Sequence, residues 1–257
     1  MLFAIDVGNT NTVLGVFEGQ KLVAHWRLTT LHEQTVDEWG ILTRNLFALE
    51  KIDPSQITGI IIASVVPPLD STLEEVSKRY FHMPAFFVRP NHLLGISVRY
   101  QPPQDVGADR IVNGVAAFAK YGGPCIVVDF GTAITFDAIS EKGDYMGGVI
   151  APGMGISAEA LFARAARLPR VDIRQPNCVI GTTTVGSMQS GLYYGFLGML
   201  DGILERMLAE LGPHCQVIAT GGQAELLAAG SRFIRHTDAL LTLEGLRLLW
   251  ERQPHGS

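Results

Sequence analysis

The chain has 257 residues, 47% of them hydrophobic and 18% charged, with 20 Lys and Arg against 25 Asp and Glu and a formal net charge of −5. That length implies two domains of the usual ~100–200 residues; the composition supports a buried core, and the scattered basic residues argue against a nucleic-acid binder, which needs a positive surface. Met1 to Asp6 carries no basic segment, and apolar stretches such as 57–66 fall well short of the ~20 residues that span a bilayer, so a cytoplasmic protein with no membrane partner is expected.

Residues 2–28, LFAIDVGNTNTVLGVFEGQKLVAHWRL, read as three strands with a turn after Asp6. Val36 to Leu49 has helical spacing, Ile60 to Val65 is a β-branched buried strand, Leu73 to Tyr80 a helix and Phe86 to Val88 a strand. A loop rich in Pro and Gln covers Arg89 to Asp105, and Asp109 to Lys120 forms a helix closed by Gly122-Gly123. Residues 125–150, CIVVDFGTAITFDAISEKGDYMGGVI, repeat the three-strand pattern. Asp6 and Gly8 match Asp129 and Gly131 at an offset of 123 residues, and Thr12 and Thr135 keep that offset. Helices follow over Ile156–Ala166 and Thr184–Leu211, then a strand over Val217–Ala219, a turn at Thr220-Gly221-Gly222, a last helix over Ala239–Arg252 and a frayed tail from Gln253.

Strands then helices, twice over, predict an α/β protein of two duplicated ribonuclease H-like domains with an interdomain cleft. The expected division is 1–120, 121–235, and a C-terminal helical segment over 236–257 that packs back on the first domain. In the long helix, Gly191, Gly195, Gly198 and Gly202 share one face, and each costs about 1 kcal/mol relative to Ala. Close approach of another helix would offset that, either within the domain or across a subunit interface. Cys125, Cys178 and Cys215 have no metal spacing and read as reduced core thiols. The seven histidines, His92 and His255 among them, are scattered, and Arg164, Arg167, Arg170 and Arg174 read as a solvated face.

Both turns suit phosphate. Gly8 and Gly131 permit positive φ and carry no Cβ, so a polyphosphate can lie against backbone N–H groups. Asn9, Thr10, Asn11 and Thr12 in the first turn and Thr132 in the second add side-chain donors. Asp6 and Asp129 would hold Mg²⁺ or a monovalent cation that bridges to phosphate. Either copy alone could be an ordinary hairpin turn; two in one register argue for a site. No Gly-Lys-Ser/Thr occurs, so neither is a Walker loop. By pattern alone Asp109 reads as a helix N-cap, Arg110 as a solvated charge, Tyr100 as a core or edge aromatic and Thr184 as an N-cap.

The paired turns resemble the two phosphate motifs of the superfamily of actin, sugar and acetate kinases and heat-shock chaperone ATPases. More narrowly, the chain resembles the type III pantothenate kinases. Asp6-Val7-Gly8-Asn9-Thr10 matches the first motif, Asp129-Phe130-Gly131-Thr132-Ala133 the second, and Tyr100 with Gly107-Ala108-Asp109-Arg110 the substrate motif. Gly147 to Gly153, Met188 to Gly191 and Thr220 to Gly222 match in order, so the likeness runs from about residue 3 to residue 222. The resemblance implies an actin-like ATPase architecture and transfer of the ATP γ-phosphoryl group to the primary hydroxyl of pantothenate, the first step of coenzyme A synthesis. It implies that Asp109 takes the hydroxyl proton and that Tyr100, Gly107, Ala108 and Arg110 line the pantothenate site. Residues Asp6 to Val13, including Val7, would hold ATP with Mg²⁺, and Thr132 would contact the nucleotide. Asp129 would hold a monovalent cation, K⁺ or NH₄⁺, and the enzyme would be a homodimer. The start of the long helix at Thr184, with its free N–H groups, is expected to receive the pantothenate carboxylate.

Two departures stand out: Thr182 where many members carry Lys, and Ile134 where Thr is frequent. A nucleotide-binding accessory protein and a sugar kinase of the same superfamily are the alternatives. A nuclease of this fold would need carboxylates clustered around two metals.

Overall fold

The computed structural model describes residues 1–89 and 96–253; His92, His255 and most of the expected frayed tail lie outside the described residues. The chain forms two compact units, Met1–Ala116 together with the segment from Leu241, and Ala117–Leu240.

The first unit is built on a five-stranded sheet in the order β3-β2-β1-β4-β5. Strands β1 (Leu2–Val7), β2 (Asn11–Glu18) and β3 (Lys21–Thr29) form an antiparallel meander, and β4 (Gly59–Ser64) and β5 (Phe86–Phe87) run parallel to β1. Because strand side chains alternate, β1 serves two cores. Phe3, Ile5 and Val7 join Ile60 and Ile62 in one, with Trp39 and Phe47 of α1 (Val36–Leu49) and Leu69, Leu73 and Val76 of α2 (Pro67–Phe81). Leu2 and Ala4 join Ile61 and Ala63 in the other, with Ala108, Val112 and Val115 of α3 (Ala108–Tyr121) and Leu243, Leu246 and Leu249 of α7 (Leu241–Glu251). Asp6 continues the second set, so its side chain projects on the face that α3 covers.

The second unit repeats this topology, with its sheet in the order β10-β9-β6-β7-β8. Here β6 (Cys125–Phe130), β7 (Ala133–Ile139) and β8 (Tyr145–Pro152) are the meander, and β9 (Gln216–Gly221) and β10 (His236–Thr237) lie parallel to β6. Ile126, Val128, Phe130, Ile134 and Phe136 pack with Leu192, Phe196, Leu200 and Leu204 of α5 (Thr184–Leu211), Met154 of α4 (Met154–Arg164) and Leu227 of α6 (Ala224–Ala228). Asp129, Thr135 and Asp137 therefore share the opposite face. This is the duplicated ribonuclease H-like arrangement that the sequence pattern implies.

Three expectations need correction. Helix α2 starts at Pro67, six residues before Leu73, because proline is tolerated in the first turn, where its missing N–H has no helical partner. The short α6 and β10 carry too few residues for a periodic signal and were not anticipated. Cys178 is exposed, whereas Cys125 and Cys215 are buried; burial pushes their thiols up to about 12 and about 11, which leaves them unreactive.

Candidate active site

The first turn joins Val7 to its partner Thr12 across residues 8–11. Gly8 donates its N–H to the Asn11 carbonyl at 3.0 Å. Its φ is not in the left-handed region, so positive φ is not what requires glycine here. The need is steric: a Cβ at Gly8 would sit 3.0 Å from the Asn11 carbonyl oxygen. Thr12 also departs from expectation, since it is wholly buried and its hydroxyl shares a 2.9 Å hydrogen bond with that of Thr30. Thr30 Oγ1 donates to the Gly8 carbonyl at 2.7 Å, and Thr30 N–H donates to the Thr10 carbonyl at 2.9 Å. Thr12 thus braces the turn from inside instead of facing a ligand. Asn9 and Thr10 are exposed, and Asn11 and Val13 are half-buried.

Val65, which follows β4, ties this strand end to the start of α3. Its N–H donates to the Val7 carbonyl at 3.0 Å, and its Cγ1 lies 3.4 Å from where a Cβ on Gly107 would be. That same Cβ would fall 2.5 Å from Asp109 Oδ1, so Gly107 leaves room for the Asp109 carboxylate. Asp109 lies inside the first turn of α3 and accepts the Arg110 N–H at 2.8 Å. Burial raises the Asp109 carboxyl above the ordinary carboxylate range, against the lowering pull of the Arg110 N–H and guanidinium. Arg110 is itself buried, not solvated as its sequence position suggests, and Ala108 is buried in the core beside it. Tyr100 is half-buried and lines a shallow groove of about 610 Å³ with Arg99, Gln101 and Pro103.

In the second unit Phe130 pairs with Ile134, so this turn is one residue shorter than the first. The offset of 123 therefore fails beyond the glycine: Thr12 corresponds in register to Ile134, and Thr135 to Val13. Gly131 donates to the Ala133 carbonyl at 3.1 Å, again without left-handed φ. Thr132 is exposed, and its carbonyl accepts the Gly153 N–H at 3.0 Å. A Cβ on Gly153 would meet the Thr132 carbonyl oxygen at 2.3 Å and that of Gly131 at 2.6 Å. Gly221, with φ of +92°, faces Asp129: a Cβ there would lie 2.6 Å from Asp129 Oδ1 and 2.7 Å from both the backbone nitrogen and the carbonyl oxygen of Phe130. The missing side chain leaves a narrow cradle beside Asp129 and the Phe130 backbone, whose carbonyl accepts the Gly222 N–H at 3.1 Å, and the Asp129 carboxylate is the hard oxygen donor there that could hold a cation. Among the described residues no group of three or more His, Cys, Asp or Glu could hold a metal ion.

Helix α5 is capped by Thr183, whose Oγ1 accepts the Gly186 N–H at 3.0 Å. Thr184 is consequently not the cap; it is exposed and lines a groove of about 740 Å³ with Leu161, Leu168, Met188, Gly191 and Gly195. A Cβ on Gly191, Gly195 or Gly198 would meet nothing within 4 Å, which removes packing within the unit as the reason for those three glycines.

A family model described as type III pantothenate kinase matches residues 2–206. The chain belongs to the type III pantothenate kinase family. A type III pantothenate kinase of Koribacter versatilis is 60% identical over 98% of this chain and 96% of the relative, and one of Solibacter usitatus is 59% identical over 98% and 97%. In fold the chain is similar to the activator of the 2-hydroxyisocaproyl-CoA dehydratase from Clostridium difficile, with a TM-score of 0.58, 10% identity and coverage of 98% and 95%. Within the family frame, Thr182 lines the α5 groove as an exposed hydroxyl, and Ile134 is a core residue of β7. Sequence reasoning missed Thr30, Gly153 as a packing contact, and Asp137. The last had a signal, a Thr-x-Asp alternation inside an otherwise apolar strand. No helix among the described residues is long and apolar enough to cross a membrane.

Proposed function

We propose that the chain transfers the γ-phosphoryl group of ATP to the primary hydroxyl of pantothenate, giving 4'-phosphopantothenate for coenzyme A synthesis, with Asp109 as the proton acceptor. The observation that carries this reading is the Asp109 carboxylate at the start of α3. It sits on the sheet face toward which Asp6 points, linked through Val65 to the strand end that carries the first turn, with its proton affinity raised by burial. Phosphoryl transfer passes through a loose transition state, so positioning and charge neutralisation do most of the work, and a carboxylate that takes the proton late suffices. Asp6 would hold Mg²⁺, which when bound would supply charge neutralisation for the phosphates. The turn from Gly8 through Asn11 would hold the ATP phosphates, and Thr132 contacts the nucleotide. Asp129 holds K⁺ or NH₄⁺ beside the Gly221 cradle. Tyr100, Gly107, Ala108 and Arg110 line the pantothenate site, and Thr184, its hydroxyl not used as the cap, receives the pantothenate carboxylate at the positive end of α5.

A coupled ADP-release assay over pantothenate, glucose, glycerol and acetate, run in K⁺ and in Na⁺, tests the reading. Turnover with pantothenate alone, supported by K⁺, is expected; turnover with a sugar would make the chain a sugar kinase, and none with any acceptor would favour a nucleotide-binding accessory role. The open glycine face of α5, with Val179 and Ile180 exposed at 61% and 82%, supports a homodimer. Gly195→Ala should raise helix propensity by about 1 kcal/mol and still shift sedimentation toward monomer. An unchanged dimer would remove that face from the interface.

A further inference from the structure

Asp137 has no part in the chemistry above, yet it is wholly buried in β7. Taking a carboxylate out of water costs several kcal/mol unless donors surround it. Two hydroxyls do so here: Tyr145 donates to Oδ1 at 2.8 Å and Thr135 donates to Oδ2 at 2.9 Å. Thr135 is the register partner of Asp129, so the two side chains stand on one face of the sheet with Cβ atoms about 4.5–5.5 Å apart. On the other flank Thr220 pairs with Asp129, and Gly221 leaves the cradle described above.

A threonine hydroxyl has one proton and two lone pairs. Committing that proton to Asp137 leaves only lone pairs on the side of Thr135 that adjoins Asp129. An oxygen presented in this way repels a hydrogen-bond acceptor and attracts a cation. We infer that Asp137 is a positioning residue for the second turn: by holding the Thr135 proton, it turns the Thr135 oxygen into a cation ligand beside Asp129. The buried carboxylate thus acts at one remove, as outer-shell partners of bound metals do when they fix a ligand's protonation and orientation. A merely structural Asp137 would tie Tyr145 to β7 and leave the cation unaffected. The inference rests on the assignment of the monovalent cation to Asp129.

The test reads binding, not turnover. The affinity for a non-hydrolysable ATP analogue is measured by calorimetry as K⁺ is titrated, and ²⁰⁵Tl⁺ resonance is used as a direct probe of the cation. Thr135→Val keeps the shape and removes the oxygen; Thr135→Ser keeps the oxygen; Asp137→Asn gives the hydroxyl a competing donor. Thr135→Val and Asp137→Asn should raise the K⁺ concentration for half-effect about tenfold, and Thr135→Ser should leave it near the unaltered value. Thermal unfolding of each variant reports stability separately. If both variants lose stability but keep the K⁺ half-effect, Asp137 is structural and the inference is overturned while the Asp129 assignment stands. If the unaltered chain shows neither K⁺ dependence nor a bound ²⁰⁵Tl⁺ signal, both fall.

Discussion

The two Asp-x-Gly turns share a topology and are built from different materials. The first is held by side chains: Thr30 grips the Gly8 carbonyl and the buried Thr12 hydroxyl. The second is one residue shorter and is held by close backbone approach, with Gly153 against the Thr132 carbonyl and Gly221 against Asp129. A duplicated fold can therefore keep the shape of a turn while exchanging hydrogen-bonded hydroxyls for glycine contacts. The two units differ as well in what stands near the turn. The first has Asp109, whose proton affinity is raised by burial; the second has the Gly221 cradle beside Asp129.

The sharpest way to break this asymmetry is to remove the proposed proton acceptor. Asp109→Asn should lower kcat by roughly 10²–10⁴, about 3–5 kcal/mol, while ATP still binds in calorimetry. A variant that keeps most of its turnover would take Asp109 out of the proton-acceptor role. The same residue makes a pH prediction. As the proposed proton acceptor Asp109 works ionised, and its pKa in the folded chain is raised by burial, so kcat/KM should fall as pH drops through a value above the ordinary ~4 of a carboxylate. The stability linkage has the opposite sign. A raised folded pKa gives a contribution that is complete below the unfolded pKa and lost as pH rises through the folded one. Asp109→Asn should thus unfold at a higher temperature than the unaltered chain near pH 7, and that advantage should vanish in acid.

Much of this architecture was legible in the sequence because its signals are local. The apolar runs at 2–7 and 125–130, the helical spacing of 36–49 and the repeated Asp-x-Gly all come from neighbours a few residues apart. What stayed hidden depends on distance. Thr30 lies 18 residues from Thr12, and no periodicity marks it as the brace of the first turn. Gly153 looks like one glycine among several until the Thr132 carbonyl is found against it. The false equivalence of Thr12 with Thr135 has the same origin, since an offset counted along the chain cannot see a turn one residue shorter. The burial of Arg110 was equally invisible, because a charge at a helix start reads as solvated unless tertiary packing covers it.

Next in size is the glycine contact that holds the second turn. In Gly153→Ala the new methyl meets two backbone carbonyls, which cannot rotate away as a side chain could, so the cost should approach about 3 kcal/mol, the upper range for overpacking. Chemical denaturation measures it, and a rise in KM for ATP should accompany it because the displaced carbonyl belongs to Thr132. A neutral Gly153→Ala would mean that the second turn yields easily and is not held by glycine packing. Thr30→Val probes the first turn and should cost less, about 1–2 kcal/mol, through the loss of hydrogen bonds to Gly8 and Thr12.

Gly131→Ala separates folding from function with the smallest effect on stability. A Cβ there would stand 3.4 Å from the Ala133 carbonyl oxygen, an ordinary contact, and φ at this position is not left-handed. Neither clash nor backbone strain opposes alanine, and the loss of chain freedom in the unfolded state favours it by about 0.4–1 kcal/mol. The melting temperature should therefore hold or rise slightly. If phosphate lies against this backbone, the added methyl occupies its place, and KM for ATP should rise about tenfold, equivalent to ~1.4 kcal/mol. Unchanged stability with unchanged KM would reduce Gly131 to a hairpin glycine. In that event the duplication would be a relic of fold alone, with nucleotide binding confined to the turn that Thr30 braces.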